Sequence, residues 1–144
     1  MIIIFLLENS RKKYGRDASP TLCFIDSASR RSGLSDSSRG IDRFKKIKGI
    51  KRHLVVDSQG NILHAHTTCA NINDGKACLE MIAETKCMFP FLKEMRGDMG
   101  YRGEERSISW LDNCRRLVRN YERECASATY MTVTAEVYRL LRFI

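Results

Sequence analysis

Apolar residues fall along this chain in short blocks whose period changes, and that period is the first guide to the fold. "TLCFID", Thr21 to Asp26, is a continuous apolar run of strand length, entered after Pro20 and followed by a Ser/Arg/Gly segment. It predicts a buried central strand that ends at Asp26. "RHLVVDSQGNILHAHTTC" holds two β-patterned runs joined by Asp57-Ser58-Gln59-Gly60, which suits a hairpin with a type I turn and Gly60 in the left-handed region. From Asp74 the spacing turns helical: Ala77, Cys78, Met81, Ile82, Thr85, Met88 and Phe89 share a face until Pro90 stops it. "FLKEMRGD" returns to a strand-like run ending in Asp98. Glu104 to Tyr121 reads as a helix with Ile108, Leu111, Cys114, Val118 and Tyr121 as its stripe, and a last helix carries Met131, Val133, Val137, Leu140, Leu141 and Ile144. Residues 2 to 13 fit either a short helix or a strand, the tail of an upstream segment. The order strand, hairpin, helix, strand, helices predicts an α/β fold with a mixed sheet flanked by helices.

A chain of 144 residues with 43% hydrophobic content is long enough for one domain with a proper core and is not a disordered chain. "MIIIFLL" is too short to span a bilayer and has neither a basic flank nor a small-residue cleavage site, so a cytoplasmic protein without membrane contact is expected. The six cysteines (23, 69, 78, 87, 114 and 125) form no C-x-x-C pair and no zinc-like spacing; reduced, mostly core thiols are expected. The net charge of +8 is concentrated: Arg39 to His53 holds seven Lys/Arg against one Asp. On charge alone such a run is more often a solvated face than a polyanion site.

Candidate chemistry changes that balance. Two predicted strands each end in an aspartate, and reactive groups in α/β sheets gather at the carboxyl ends of neighbouring strands, which pairs Asp26 with Asp98. Aspartates at strand ends are also ordinary loop starters. Glu105 lies three residues before Ile108, near a buried stripe where an unpaired carboxylate is costly unless a cation meets it. Three such oxygen donors beside a basic surface suit Mg²⁺ or Mn²⁺ holding a phosphodiester. His64 and His66 share one strand face, and the strand register decides whether His53 joins them; no third ligand nearby completes a zinc site. N-capping explains Asn71 and Asp74, and packing explains Tyr101 and Trp110.

Five blocks carry a resemblance: "GRDASPTLCFIDSASRRSG", "KKIKGIKRHLVVDSQGNIL", "ANINDG", "RGDMGYRGE" and "ERSISWLDNCRRLVRNYE", in that order. Together, over about residues 15 to 125, they resemble the catalytic domain of bacterial insertion-sequence DDE transposases of the insertion-sequence-five type. The resemblance implies a ribonuclease-H-like fold with the strands of Asp26 and Asp98 adjacent. By position Asp26 and Asp98 correspond to the two catalytic aspartates and Glu105 to the glutamate, jointly holding two Mg²⁺ (or Mn²⁺) ions. It implies DNA as partner, both insertion-sequence ends and target, and leaves homo-oligomerisation open. In that context Lys45, Lys46, Lys48, Lys51 and Arg52 are expected to contact DNA phosphates. Arg115, Arg119 and Arg123 form an i, i+4, i+8 row that either tracks a DNA strand or keeps an exposed face soluble.

Two departures matter. Relatives begin with a further N-terminal, DNA-binding region, and they place a few dozen residues between "GYRG" and "ER-x-x-x-WL"; here those blocks are fused as "GYRGEERSISWL". The expectation is therefore residues 1–14 as the remnant of an upstream segment and 15–144 as an incomplete catalytic domain, lacking the edge strand and crossover helix before the glutamate helix. Seven residues extend to about 24 Å, so reach does not limit the site; orientation does, because ligands need placement to about half an ångström. The rival reading is a non-catalytic, basic nucleic-acid-binding remnant of the same fold.

Overall fold

Strand β1 (Leu22–Arg31) lies between two partners in the computed structural model, which describes residues 2–32, 39–43, 45–97 and 124–142. Its antiparallel neighbour is β3 (Ile47–Asp57), paired from Cys23↔Asp57 to Arg31↔Gly49. Its parallel neighbour is β5 (Glu94–Gly97), paired from Leu22↔Glu94 to Ile25↔Gly97. The far edge of β3 is shared end to end by β2 (Gly40–Asp42), which reaches Gly49, and β4 (Ile62–Cys69), which starts its pairing at Ile50. With α1 (Ile2–Lys13), α2 (Asp74–Met88) and α3 (Cys125–Leu141), the described residues form the expected α/β fold, a five-stranded mixed sheet of ribonuclease-H-like order flanked by helices.

The strand of Asp26 is longer than its apolar run. β1 continues to Arg31, because the eleven-residue β3 offers backbone partners as far as Gly49 and backbone hydrogen bonding needs no apolar alternation. Asp26 is thus not the end of a strand. It is the first residue of β1 beyond the described parallel ladder with β5.

The hairpin between β3 and β4 closes as its sequence requires. Gly60 has φ 80° and its N–H donates to Asp57 O at 3.0 Å, while Asp57 Oδ1 accepts from Gln59 N at 2.8 Å and Asn61 N at 2.9 Å. A side chain in that left-handed conformation is strained by about 1–2 kcal/mol, so Gly60→Val should lower stability by that amount in a urea titration. A loss below about 0.5 kcal/mol, the range of a neutral surface change, would contradict the turn.

Two apolar clusters cover the sheet. Cys23 and Val55 pack with Leu6 and Leu7 of α1, Met81 of α2 and Leu140 of α3; Phe24, Leu54, Val56, Ile62 and Ala65 pack against Met131, Val133 and Ala135 of α3. Helix α2 buries Ala77, Met81 and Thr85 at the expected spacing. Helix α3 departs from its expected stripe: its buried line is Ala128, Thr132, Glu136 and Leu140, Leu141 is exposed, and Ile144 lies outside the described residues. The predicted helix from Glu104 to Tyr121 also lies outside them. The described cysteines are free thiols, but only Cys23 is buried and Cys87 is exposed, so most are not core residues. Burial pushes the Cys23 thiol up to about 12, which keeps it protonated and unreactive.

Candidate active site

A cavity of about 510 Å³ opens where β1, β2, β3 and the start of α2 meet, lined by Asp26, Asp42, Lys45, Lys51, His53 and Asp74. Gly97, the last residue of β5, reaches the same wall. Asp26 is half-buried, and its Oδ1 accepts from Ser27 N at 2.7 Å, which orients the carboxylate. Ile25 pairs with Gly97, and the residues that follow them in the sequence are Asp26 and Asp98; Asp98 itself lies outside the described residues. Glu105, Arg115, Arg119 and Arg123 lie outside them too, as do Tyr101 and Trp110.

The basic run is split by strand geometry. Lys45, Lys46 and Lys48 are exposed around the β2–β3 turn, whereas Lys51 and Arg52 are buried, at 8% and 4% exposure. β3 is bordered on both sides from Ile50 onward, so neither residue has an open strand edge. The turn before it is held by Asp42, buried, whose Oδ2 accepts from Ser29 Oγ at 2.6 Å and whose Oδ1 accepts from Lys45 N at 3.1 Å. Lys46 completes the turn at φ 52°, a left-handed conformation that costs an L-residue about 1 kcal/mol. Lys45, whose N–H Asp42 holds, lines the cavity.

Asp74 and Gly75, which end the segment "ANINDG", also line the cavity. Lys51 Nζ donates to Ile72 O at 3.1 Å and pairs with Asp74 Oδ1 at 2.9 Å, binding this loop to β3. Asn73, not Asn71 or Asp74, is the cap of α2: its side chain accepts from Gly75 N at 2.8 Å. Asn71 instead packs against the start of β2, where only Gly40 fits because a Cβ would collide with Asn71 N. Sequence reasoning missed Asp42, His53 and Asp74 as cavity residues. The alternation of Lys51 with His53 was the available signal, since i and i+2 on a strand share a face.

His53 lies opposite His66, so all three histidines share one face of β3 and β4. Two of them serve separate partners: His53 Nε2 meets Thr68 Oγ1 at 3.0 Å and His64 Nε2 meets Glu84 Oε2 at 2.8 Å. No group of three His, Cys, Asp or Glu suited to a metal ion occurs among the described residues. Burial pushes the His53 imidazole from 6.5 down to about 4, helped by Lys51 and His66 and opposed by Asp74. An unfolded chain would take up this proton near pH 6.5 and the folded chain only near 4, so stability is full above about 6.5 and falls as pH drops to about 4. The expected loss is roughly 3 kcal/mol, measured as a urea midpoint that declines across this window in wild type and declines less in His53→Gln. Parallel declines in the two proteins would contradict it.

The mixed sheet, with β1 antiparallel to β3 and parallel to β5, is consistent with the ribonuclease-H-like class. The profile of the family described as "Transposase DDE domain" matches residues 17–129, and the chain belongs to that family. No curated protein and no solved structure matches the chain. The family acts in DNA transposition and uses divalent metal ions. No described helix is long and apolar enough to cross a membrane.

Proposed function

We propose that this domain binds duplex DNA and holds divalent metal between Asp26 and Asp98 for phosphodiester cleavage and strand transfer, with Glu105 as the third ligand of the set. The observation that carries this reading is the Ile25↔Gly97 pair: Asp26, which follows Ile25, lines the cavity, and Asp98 follows Gly97 in the sequence. The donor chemistry fits: Asp26 offers an oriented, half-buried carboxylate, and Mg²⁺ takes one or two protein carboxylates while keeping several waters. When bound, the ions stabilise the attacking and leaving oxygens as Lewis acids. Asp26 contributes charge and orientation, Asp42 and Lys46 shape the turn that carries Lys45, and the exposed lysines meet backbone phosphates.

One observation favours a second reading. Only seven positions separate Asp98 from Glu105 in "DMGYRGEE", too few to hold a crossover helix and strand; on this reading the domain binds metal and DNA without cutting.

Binding to duplex DNA is expected to tolerate changes of sequence and to weaken steeply with salt. Replacing Lys45, Lys46 and Lys48 together by Ala should reduce the slope of log K against log salt by about 3, one counterion per phosphate contact. Fluorescence anisotropy over a salt series reads this directly. An unchanged slope and affinity would remove the β2–β3 turn from the DNA surface.

A further inference from the structure

The burial of Lys51 raises the question of what an ammonium does inside this wall. Its side chain is only 11% exposed, yet it lines the cavity shared with Asp26. An ammonium carries three N–H donors. Ile72 O takes one at 3.1 Å and Asp74 Oδ1 another at 2.9 Å, both from the same loop, which leaves a third donor for the cavity. Asp74 is 60% exposed at its side chain, so water can solvate it if the ammonium shifts its charge toward another anion.

We propose that Lys51 is a phosphate-positioning residue, tethered to residues 72–74 and holding a non-bridging oxygen of one DNA phosphate inside the cavity beside Asp26, with Asp74 as the counter-charge that weakens this contact. The proposal rests on the DNA-binding reading above and adds to it a contact distinct from the surface lysines. A buried stem makes this lysine different in kind from Lys45, Lys46 and Lys48. Its rotamers are already restricted by packing, so engaging a phosphate costs little further side-chain entropy, whereas an exposed lysine loses most of that freedom on binding. As a compact point charge with rotatable donors, it suits a phosphate oxygen that approaches from one side.

The competing role is a structural tether that only fixes the loop to β3. The two roles differ in sign at Asp74. As a tether, Lys51 needs Asp74, and removing either partner loosens the loop in the same direction. As a phosphate contact, Lys51 is opposed by Asp74, so the two substitutions act oppositely.

The test uses the full chain and a short duplex of arbitrary sequence, with affinity measured over a salt series in the absence of divalent metal. Lys51→Met should weaken binding about tenfold at low salt and lower the salt slope by about 1, while Lys51→Arg keeps most of both. Asp74→Asn should tighten binding several-fold, with Asn73 still capping α2. In the Lys51→Met background the gain from Asp74→Asn should vanish, which separates a contact made through Lys51 from a general loss of negative charge. Asp74→Asn weakening or leaving affinity unchanged would overturn the proposal, as would a gain that survives in the double variant. Circular dichroism checks folding; if Lys51→Met does not fold, the sign of Asp74→Asn and the retention in Lys51→Arg decide. A wild-type chain that binds no duplex overturns both this proposal and the DNA-binding reading. A slope that responds to the three surface lysines but not to Lys51 or Asp74 overturns this proposal alone.

Discussion

Asp57→Ala is expected to remove about 3–5 kcal/mol of folding stability, which for a domain of this size is a large share of the total. Asp57 is fully buried and its Oδ2 accepts from Arg11 Nη1, itself buried, and from Asn61 Nδ2 at 3.0 Å. Its Oδ1 accepts the two backbone N–H groups that shape the β3–β4 turn. Asn61 passes the network on: its Oδ1 accepts from Arg139 Nη2 at 2.8 Å, and Arg139 pairs with the buried Glu136 at 2.6 Å. Glu136 Oε1 also accepts from Ile62 N at 3.0 Å, beside the bulge where the pairing of β4 with β3 shifts register. One carboxylate therefore anchors α1 and, through Asn61, α3 to the same hairpin. Removing it leaves the Arg11 guanidinium buried without its anion and strands two turn donors, each a costly defect in a low-dielectric interior. Arg11→Ala should be damaging for the mirror reason, and the double variant should cost clearly less than the sum, because the two residues share one interaction. Urea unfolding of the three variants measures this. A loss below about 1 kcal/mol for Asp57→Ala, or strict additivity, would show that the network contributes little.

Asp26→Asn is expected to lower Mn²⁺ or Mg²⁺ affinity by more than about 100-fold, since changes to groups merely supporting a metal ligand already cost about 10–100-fold. The substitution preserves size and an oxygen able to accept from Ser27 N, so the fold should be retained. Asp98→Asn, at the other proposed ligand, should act alike. Glu105→Gln should have a smaller effect, because two carboxylates suffice to hold a hydrated Mg²⁺ weakly. On the second, non-cutting reading wild type nicks supercoiled DNA barely above background, since ligand placement for cleavage is far more exacting than for binding. Calorimetric titration with Mn²⁺ and a nicking assay separate these outcomes. Metal binding undiminished in Asp26→Asn would remove the carboxylate pair as the site. Robust metal-dependent nicking abolished by Glu105→Gln would show that the short link builds a working triad and would eliminate the non-cutting reading.

Local chemistry determined much of this protein. The left-handed Gly60 followed from Asp57-Ser58-Gln59-Gly60, because a turn of that type demands a conformation glycine adopts freely. The buried face of α2 followed from the spacing of Ala77, Met81 and Thr85, and the mixed sheet from strand and helix periods in sequence order. The family blocks pointed to Asp26, and the structure brings Asp74 and Gly75 of "ANINDG" to the same cavity. Periodicity could not decide how far β1 runs, since Ser27 to Arg31 become strand only because β3 extends alongside them. Nor could it separate Lys45, Lys46 and Lys48 from Lys51 and Arg52, which are equally cationic but lie on opposite sides of the point where β3 becomes enclosed by two neighbours. The burial of Asp57 and Glu136 depends on partners 46 and 74 positions away in the chain. A charge enters a core only where a distant residue meets it, and no local pattern of apolar and polar positions encodes that meeting.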